Sequence, residues 1–160
     1  SKRTRGSMTK TSNPVRLALK DVLGYAGFSR RGDSWFRTTD EVVEVLNLQK
    51  SQWGNQYYLN YALWLLPLGE TKFPKEERCH VRFRVDAIVS PGADLVRLLD
   101  LDADSSDAER RSKLVAVLTS ELLPFAEACR TLSGLRSLYD AGKLSKAFVH
   151  IAAKRVLAAR

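Results

Sequence analysis

The stretch Glu41-Val42-Val43-Glu44-Val45-Leu46-Asn47-Leu48-Gln49-Lys50 resumes, across Trp53-Gly54-Asn55, as Gln56-Tyr57-Tyr58-Leu59-Asn60-Tyr61-Ala62-Leu63-Trp64-Leu65-Leu66. Its β-branched and aromatic side chains fit a pleated, half-buried surface, and the Gly-Asn step punctuates it, so it predicts two antiparallel strands joined by a turn. Upstream, Trp35-Phe36-Arg37 adds a third strand, cut off by Thr38-Thr39-Asp40. Downstream, after a charged loop with a proline at 69–77, Cys79, Val81, Phe83 and Val85 alternate with Arg78, His80, Arg82 and Arg84. That period of two predicts a fourth strand with one core face and one basic face. Outside this meander the period becomes helical. Val15, Leu19, Val22 and Leu23 follow Asn13-Pro14, a cap residue and a first-turn proline, and Gly27 ends that helix.

From Pro91 onward the helical period persists. A short helix is predicted around Leu95, Leu98 and Leu99, and an Asp-rich loop over 100–105. Ser106 with Glu109 forms a capping box for the next helix. Pro124 begins or kinks a further stretch, because proline cannot continue the hydrogen-bond ladder. Residues 133–139 make a helical turn or two, and 144–159 read as one Ala-rich amphipathic helix with His150 packed among apolar neighbours. Strands followed by helices argue an α+β fold: an antiparallel sheet of about four strands, preceded by one helix and covered on one face by C-terminal helices.

The 160 residues, 44% apolar and 28% charged, suit one domain, expected over residues 13–160, able to bury a core without disulfide staples. Residues 1–12 are basic, polar and without an apolar run; they read as a disordered leader, with Gly6-Ser7-Met8 resembling a tag remnant before a native start at Met8. The net charge is +8, but Lys2, Arg3, Arg5 and Lys10 lie in that leader. Without them 22 basic residues face 18 acidic ones, a net of +4, short of the footprint of a dedicated nucleic-acid binder. The apolar run 61–68 is too short for a membrane span. Cys79 and Cys129 show no metal or redox spacing, which points to free, packed thiols and a cytoplasmic setting.

Several motifs together resemble a bacterial domain-of-unknown-function family of small single-domain proteins. They are Gly27-Phe28-Ser29-Arg30-Arg31-Gly32, then Asn47-Leu48-Gln49-Lys50-Ser51 with Gly54, then Tyr57-Tyr58-Leu59-Asn60, and then Cys79-His80-Val81-Arg82-Phe83-Arg84. Leu123-Pro124-Phe125 and Gly142-Lys143-Leu144 complete the order. The resemblance implies a fold and an intracellular bacterial setting, and it carries over no catalytic residue.

By strand parity Asn47, Gln49 and Ser51 share one face, met by Asn60 and Tyr58 from the neighbouring strand. With His80, Arg82 and Arg84 they would present amides beside guanidinium groups, a set suited to a carboxylate, a phosphate or an acidic peptide. On the other reading Asn47 and Gln49 satisfy backbone groups and the arginines form a solvated face with Glu41 and Glu44. His80 lacks an evident orienting carboxylate or nucleophile, and alternation sends Cys79 to the opposite face, so no catalytic dyad is assigned. No metal site and no cofactor are implied. Arg30 and Arg31 beside exposed-looking Trp35 and Phe36, with Trp53 and Tyr57 at a turn, suggest nucleic-acid contacts. Against that, Phe36 and Tyr57 read equally as core aromatics and Arg30-Arg31 as charge favoured at a helix end.

The sequence therefore points to a non-enzymatic intracellular binding module recognising a protein partner, of which an immunity- or defence-associated protein is one form. Its contact candidates are Asn47, Gln49, Lys50, Asn60, His80, Arg82 and Arg84, with Trp53 as an aromatic anchor. The alternative is a nucleic-acid-binding or nucleic-acid-processing factor using the basic strand face.

Overall fold

The computed structural model describes residues 13–159; the leader assigned to 1–12 lies outside them. Asn13 opens α1 (Pro14–Tyr25) by accepting, through Oδ1, the N–H groups of Val15 (2.9 Å) and Arg16 (3.3 Å), and proline occupies the first turn where no N–H is needed. Val15, Ala18, Leu19, Val22 and Leu23 form its buried stripe. The helix ends at Gly27, whose φ of 96° lets the Phe28 N–H reach back to Leu23 O at 2.9 Å.

Six strands follow in one antiparallel sheet of order β1-β2-β3-β4-β5-β6: β1 (Ser29–Arg31), β2 (Ser34–Thr38), β3 (Val42–Lys50), β4 (Tyr57–Leu65), β5 (Val81–Arg84) and β6 (Phe148–Val149). The α+β class and the four-strand meander hold, with one strand added at each edge. Gly32, at φ 63°, turns β1 into β2. Arg30 and Arg31, open in the sequence between a nucleic-acid contact and charge at a helix end, lie in this edge strand, whose three residues give too little alternation to register. At the far edge, Phe148 and Val149 pair with Arg82 and Val81, inside the segment predicted as a single helix over 144–159. Phe148 and Val149 satisfy the free backbone of β5, and only then does α6 (Ile151–Ala158) start. His150 caps it, exposed rather than packed, with Nδ1 accepting the Ala152 N–H at 3.0 Å.

The helices α2 (Gly92–Leu98), α3 (Asp107–Val117), α4 (Leu123–Ala128), α5 (Leu132–Asp140) and α6 lie with α1 on one face of the sheet. Ser106 caps α3, its Oγ accepting the Glu109 N–H at 3.1 Å. Ahead of Pro124, residues Leu118–Leu122 widen into a π turn, so that α3 and α4 run on end to end rather than break. The main core joins Leu19 and Leu23, Leu114, Leu118 and Leu122, Leu135 and Leu157 to Leu46, Leu59, Tyr61, Leu63, Val81 and Phe83 of the sheet.

The opposite face is not simply basic. A second, smaller cluster of Phe36, Val43, Val45, Ala62 and Cys79 is built on it, with Trp64 and Leu66 alongside. Phe73, from the segment 66–79, packs edge-on against Phe36 with centroids 5.3 Å apart. Cys79 thus does not alternate with His80 into the main core: it caps the turn Glu76–Arg78, before β5 begins, and Sγ approaches Lys75 O at 3.4 Å. Trp35 and Phe36, read as exposed in the nucleic-acid alternative, are both buried, one in each cluster.

Candidate functional site

The segment 66–79 covers only part of the helix-free face. Toward the β3–β4 turn that face is polar, because the pairs Asn47↔Asn60 and Gln49↔Tyr58 and, across β4, Asn60↔Arg84 bring the amides and a guanidinium into one row. The Asn60 amide donates through Nδ2 to Asn47 Oδ1 (3.3 Å) and Gln49 Oε1 (3.0 Å). Its Oδ1 accepts Arg84 Nε at 3.1 Å, and Asn47 Nδ2 continues the row to Ser34 Oγ at 3.0 Å. Asn60, almost fully buried, is the hub that the exposed Gln49 and Arg84 flank.

Arg84 is held in two directions. Its Nε is bonded to Asn60, and its guanidinium carbon lies 4.2 Å from the centre of the Tyr58 ring. Among the described residues its two terminal nitrogens have no partner, so the forked end of the group is free to take a planar anion through parallel hydrogen bonds. Arg82 is different: Glu76 accepts its Nε at 3.1 Å and Phe148 lies under its guanidinium at 5.8 Å. The predicted row of cations therefore reduces to one uncommitted arginine.

The remaining predicted residues divide. Trp53 stands in the β3–β4 turn, 89% exposed. Lys50 does not join the row: parity puts it on the other face, and its ammonium bonds Gly54 O at 3.1 Å within the turn. Ser51 is likewise spent on the turn, accepting the Trp53 N–H at 3.0 Å. Glu41 and Glu44 do not form a solvated surface with Arg82 and Arg84. Glu41 accepts the Leu132 N–H at 2.9 Å, and Glu44 is wholly buried on the helical face. Ser34 and Glu76 were not singled out from the sequence; Ser34 was findable, since it sits in phase with Asn47 one strand away.

His80 accepts the Leu65 N–H through Nδ1 at 2.9 Å and lies against Trp64, ring centroids 4.3 Å apart. Burial, together with the nearby His150 ring, pushes its pKa below the ordinary 6.5. A depressed histidine binds fewer protons folded than unfolded. Its stabilising contribution is therefore complete above about pH 6.5 and is lost as pH falls through the lowered folded value. Protonation also removes the Nδ1 acceptor beside β6, because His150 N–H bonds His80 O at 2.8 Å. Unfolding midpoints measured between about pH 7 and pH 5 are expected to fall for the wild type and to flatten in His80→Gln; an unchanged slope in the variant refutes this assignment.

Burial raises the Cys79 thiol to about 12, with Glu76 adding to the shift, and raises Cys129 as well, so neither is a poised nucleophile. Among the described residues no group of three or more His, Cys, Asp or Glu side chains could hold a metal, and no helix is long and apolar enough to cross a membrane.

A model described as a domain of unknown function (DUF4304) matches residues 19–128. The chain belongs to this family. The DUF4304 match runs from within α1 to the end of α4 and so contains the whole amide row, Tyr58, Arg84 and Trp53. It leaves α5, β6 and α6 outside, along with the Gly142-Lys143-Leu144 step of the sequence resemblance. Comparison with curated proteins and with solved structures found no match.

Proposed function

We propose that this DUF4304 chain is a non-catalytic intracellular binding module, and that the polar half of its helix-free sheet face recognises a protein partner presenting an acidic side chain. The observation that carries this reading is Arg84, whose guanidinium is oriented by Asn60 and stacked on Tyr58 while its forked end is unpaired. A group fixed in this way loses little rotamer entropy on binding a carboxylate, and that favours recognition by a structured partner. Trp53, in the turn that joins the two strands carrying the row and 89% exposed, supplies the large aromatic surface that dominates protein interfaces. Nucleic acid is the weaker reading, since Arg82 is already paired with Glu76 and a phosphate backbone calls for several free cations in a track.

The test uses the full chain as bait, with nuclease present and salt varied, and compares wild type with Arg84→Ala and Trp53→Ala. Each substitution is expected to weaken capture of the same partner at least about tenfold while leaving thermal unfolding unchanged. A partner retained equally by both variants overturns the assignment of this face. Capture that vanishes with nuclease transfers the function to nucleic acid.

A further inference from the structure

The polar row does not end at Ser34. Across β1 and β2 the register pairs Ser34 with Arg31, so Arg31, Ser34, Asn47, Asn60 and Arg84 stand opposite one another in turn through five strands. Directly opposed residues of antiparallel strands point to the same face, which puts Arg31 and Arg84 at the two ends of one row. A ring contact agrees with that placement: the Arg31 guanidinium carbon lies 4.0 Å from the centre of the Phe73 ring, and Phe73 packs on Phe36 on the helix-free face. Its neighbour Arg30 turns to the other face, over Trp35.

Arg31 repeats the arrangement of Arg84. Both are exposed, both are held over an aromatic ring, at 4.0 Å and 4.2 Å, and among the described residues neither has an acidic partner. The six strands contain a single acidic residue, Glu44, which is buried on the helical face. Glu76, from the segment covering the rest of the helix-free face, is spent on Arg82. Two ring-held cations are thus left unanswered, with only a hydroxyl and amides between them.

We infer that Arg31 is a second anchor of this surface, and that the partner is an acidic protein segment lying across the strands with one carboxylate position at each end of the row. The inference rests on the reading of Arg84 given above and adds to it a span and a direction. Four strand spacings put the two backbones about 19 Å apart, and both side chains lean inward, over Tyr58 of β4 and over Phe73 where it meets Phe36 of β2, so the forks are about 10–19 Å apart. One carboxylate or one phosphate cannot answer both at that distance, whereas a single segment can, its second contact being intramolecular. A second copy of this chain would set cation against cation, and a nucleic acid would meet two isolated charges instead of a track.

The experiment follows the Arg31 and Arg84 Nε–H signals of the whole chain by NMR while peptides are added. In two of them a pair of Glu-Glu ends is joined by four prolines, about 16 Å, or by twelve, about 40 Å, since proline spacers stay extended at about 3.1 Å per residue. A third keeps four prolines but replaces one Glu-Glu end by Gln-Gln. The two-ended four-proline peptide is expected to shift both signals along one binding curve and to bind at least about tenfold more tightly than the other two. Arg31→Gln and Arg84→Gln, both at exposed positions, are each expected to reduce it to the affinity of the one-ended peptide. Shifts at Arg84 alone, or an affinity indifferent to spacer length or to Arg31→Gln, overturn the inference and leave the Arg84 surface standing. Silence of both signals up to about 10 mM overturns the two together. A single-stranded oligothymidylate that shifts both signals at lower concentration than any of the peptides also overturns it, in favour of nucleic acid.

Discussion

Glu44→Ala is expected to destabilise the protein by about 3–5 kcal/mol, because it takes from a buried guanidinium its two-pronged carboxylate and leaves it only the exposed Glu127, 3.4 Å away. Glu44 is wholly buried, and its two oxygens accept Arg37 Nε at 2.6 Å, Arg37 Nη2 at 3.0 Å and the Tyr61 hydroxyl at 2.7 Å. Arg130 Nε lies 3.4 Å away, and Arg37 Nη1 donates to Ala26 O at 3.0 Å, tying the cluster to the end of α1. Burial opposes the charge on Arg37, but the hydrogen bond and field of Glu44 outweigh it and raise its pKa. Tyr61 is pushed far above its ordinary value, by burial first and then by Cys129 and Glu44, so its hydroxyl stays a donor. Urea unfolding with a double-mutant cycle measures the effect. Arg37→Met with Glu44→Leu is expected to cost less than Glu44→Ala alone, because no charge is then left unpaired. A Glu44→Ala variant within about 1 kcal/mol of wild type refutes the account.

Arg110→Ala is the second large effect, expected at about 3 kcal/mol through the loss of several charge-assisted hydrogen bonds at a buried site. Arg110 is 1% exposed, and its neighbours are carbonyls rather than a carboxylate. Nη1 donates to Leu98 O and Asp100 O, both at 2.8 Å, and Nη2 to Ala103 O at 2.9 Å. One planar fork thereby satisfies the otherwise orphaned C-terminal end of α2 and shapes the loop into α3. The same loop holds the β3–β4 turn, since Tyr57 N–H bonds Leu99 O at 2.8 Å and Leu101 N–H bonds Asn55 O at 3.0 Å. Loss of Arg110 is expected to speed hydrogen exchange at residues 98–104 and at 55–57, loosening the support under Trp53. Arg110→Lys is expected to recover less than half of the stability, because a single ammonium cannot span carbonyls arranged for a fork. Exchange unchanged at 55–57 in Arg110→Ala breaks the proposed link between loop and turn.

The two residues that dominate these expectations were the least legible. Glu44 lies at an even position of β3, in phase with Val42, Leu46 and Leu48, and Arg37 is in phase with Trp35 on β2. Parity alone placed them opposite each other on the apolar face, but a charged residue is usually read as solvated, and that habit hid a pair whose members satisfy one another. Arg110 carried even less signal, because its partners are backbone oxygens, which every residue has. The amide row was legible for the opposite reason: Asn47, Gln49 and Asn60 interrupt strong strands, and pairing in register can only bring them onto one face.

Local alternation, the Asn13-Pro14 and Ser106 caps and the Gly-bearing turns were enough to specify the antiparallel meander, the first helix and which side chains share a surface. They suffice because strand parity and capping depend on neighbours a few residues apart. Which sheet face would take the helices, that residues 66–79 would cover part of the other, and that Phe148-Val149 would pair with β5 instead of extending α6 were decided by packing. These outcomes rest on burial and backbone satisfaction between segments far apart in the chain, 91 residues in the case of Glu41 and Leu132, and no periodicity within one segment encodes its distant partner.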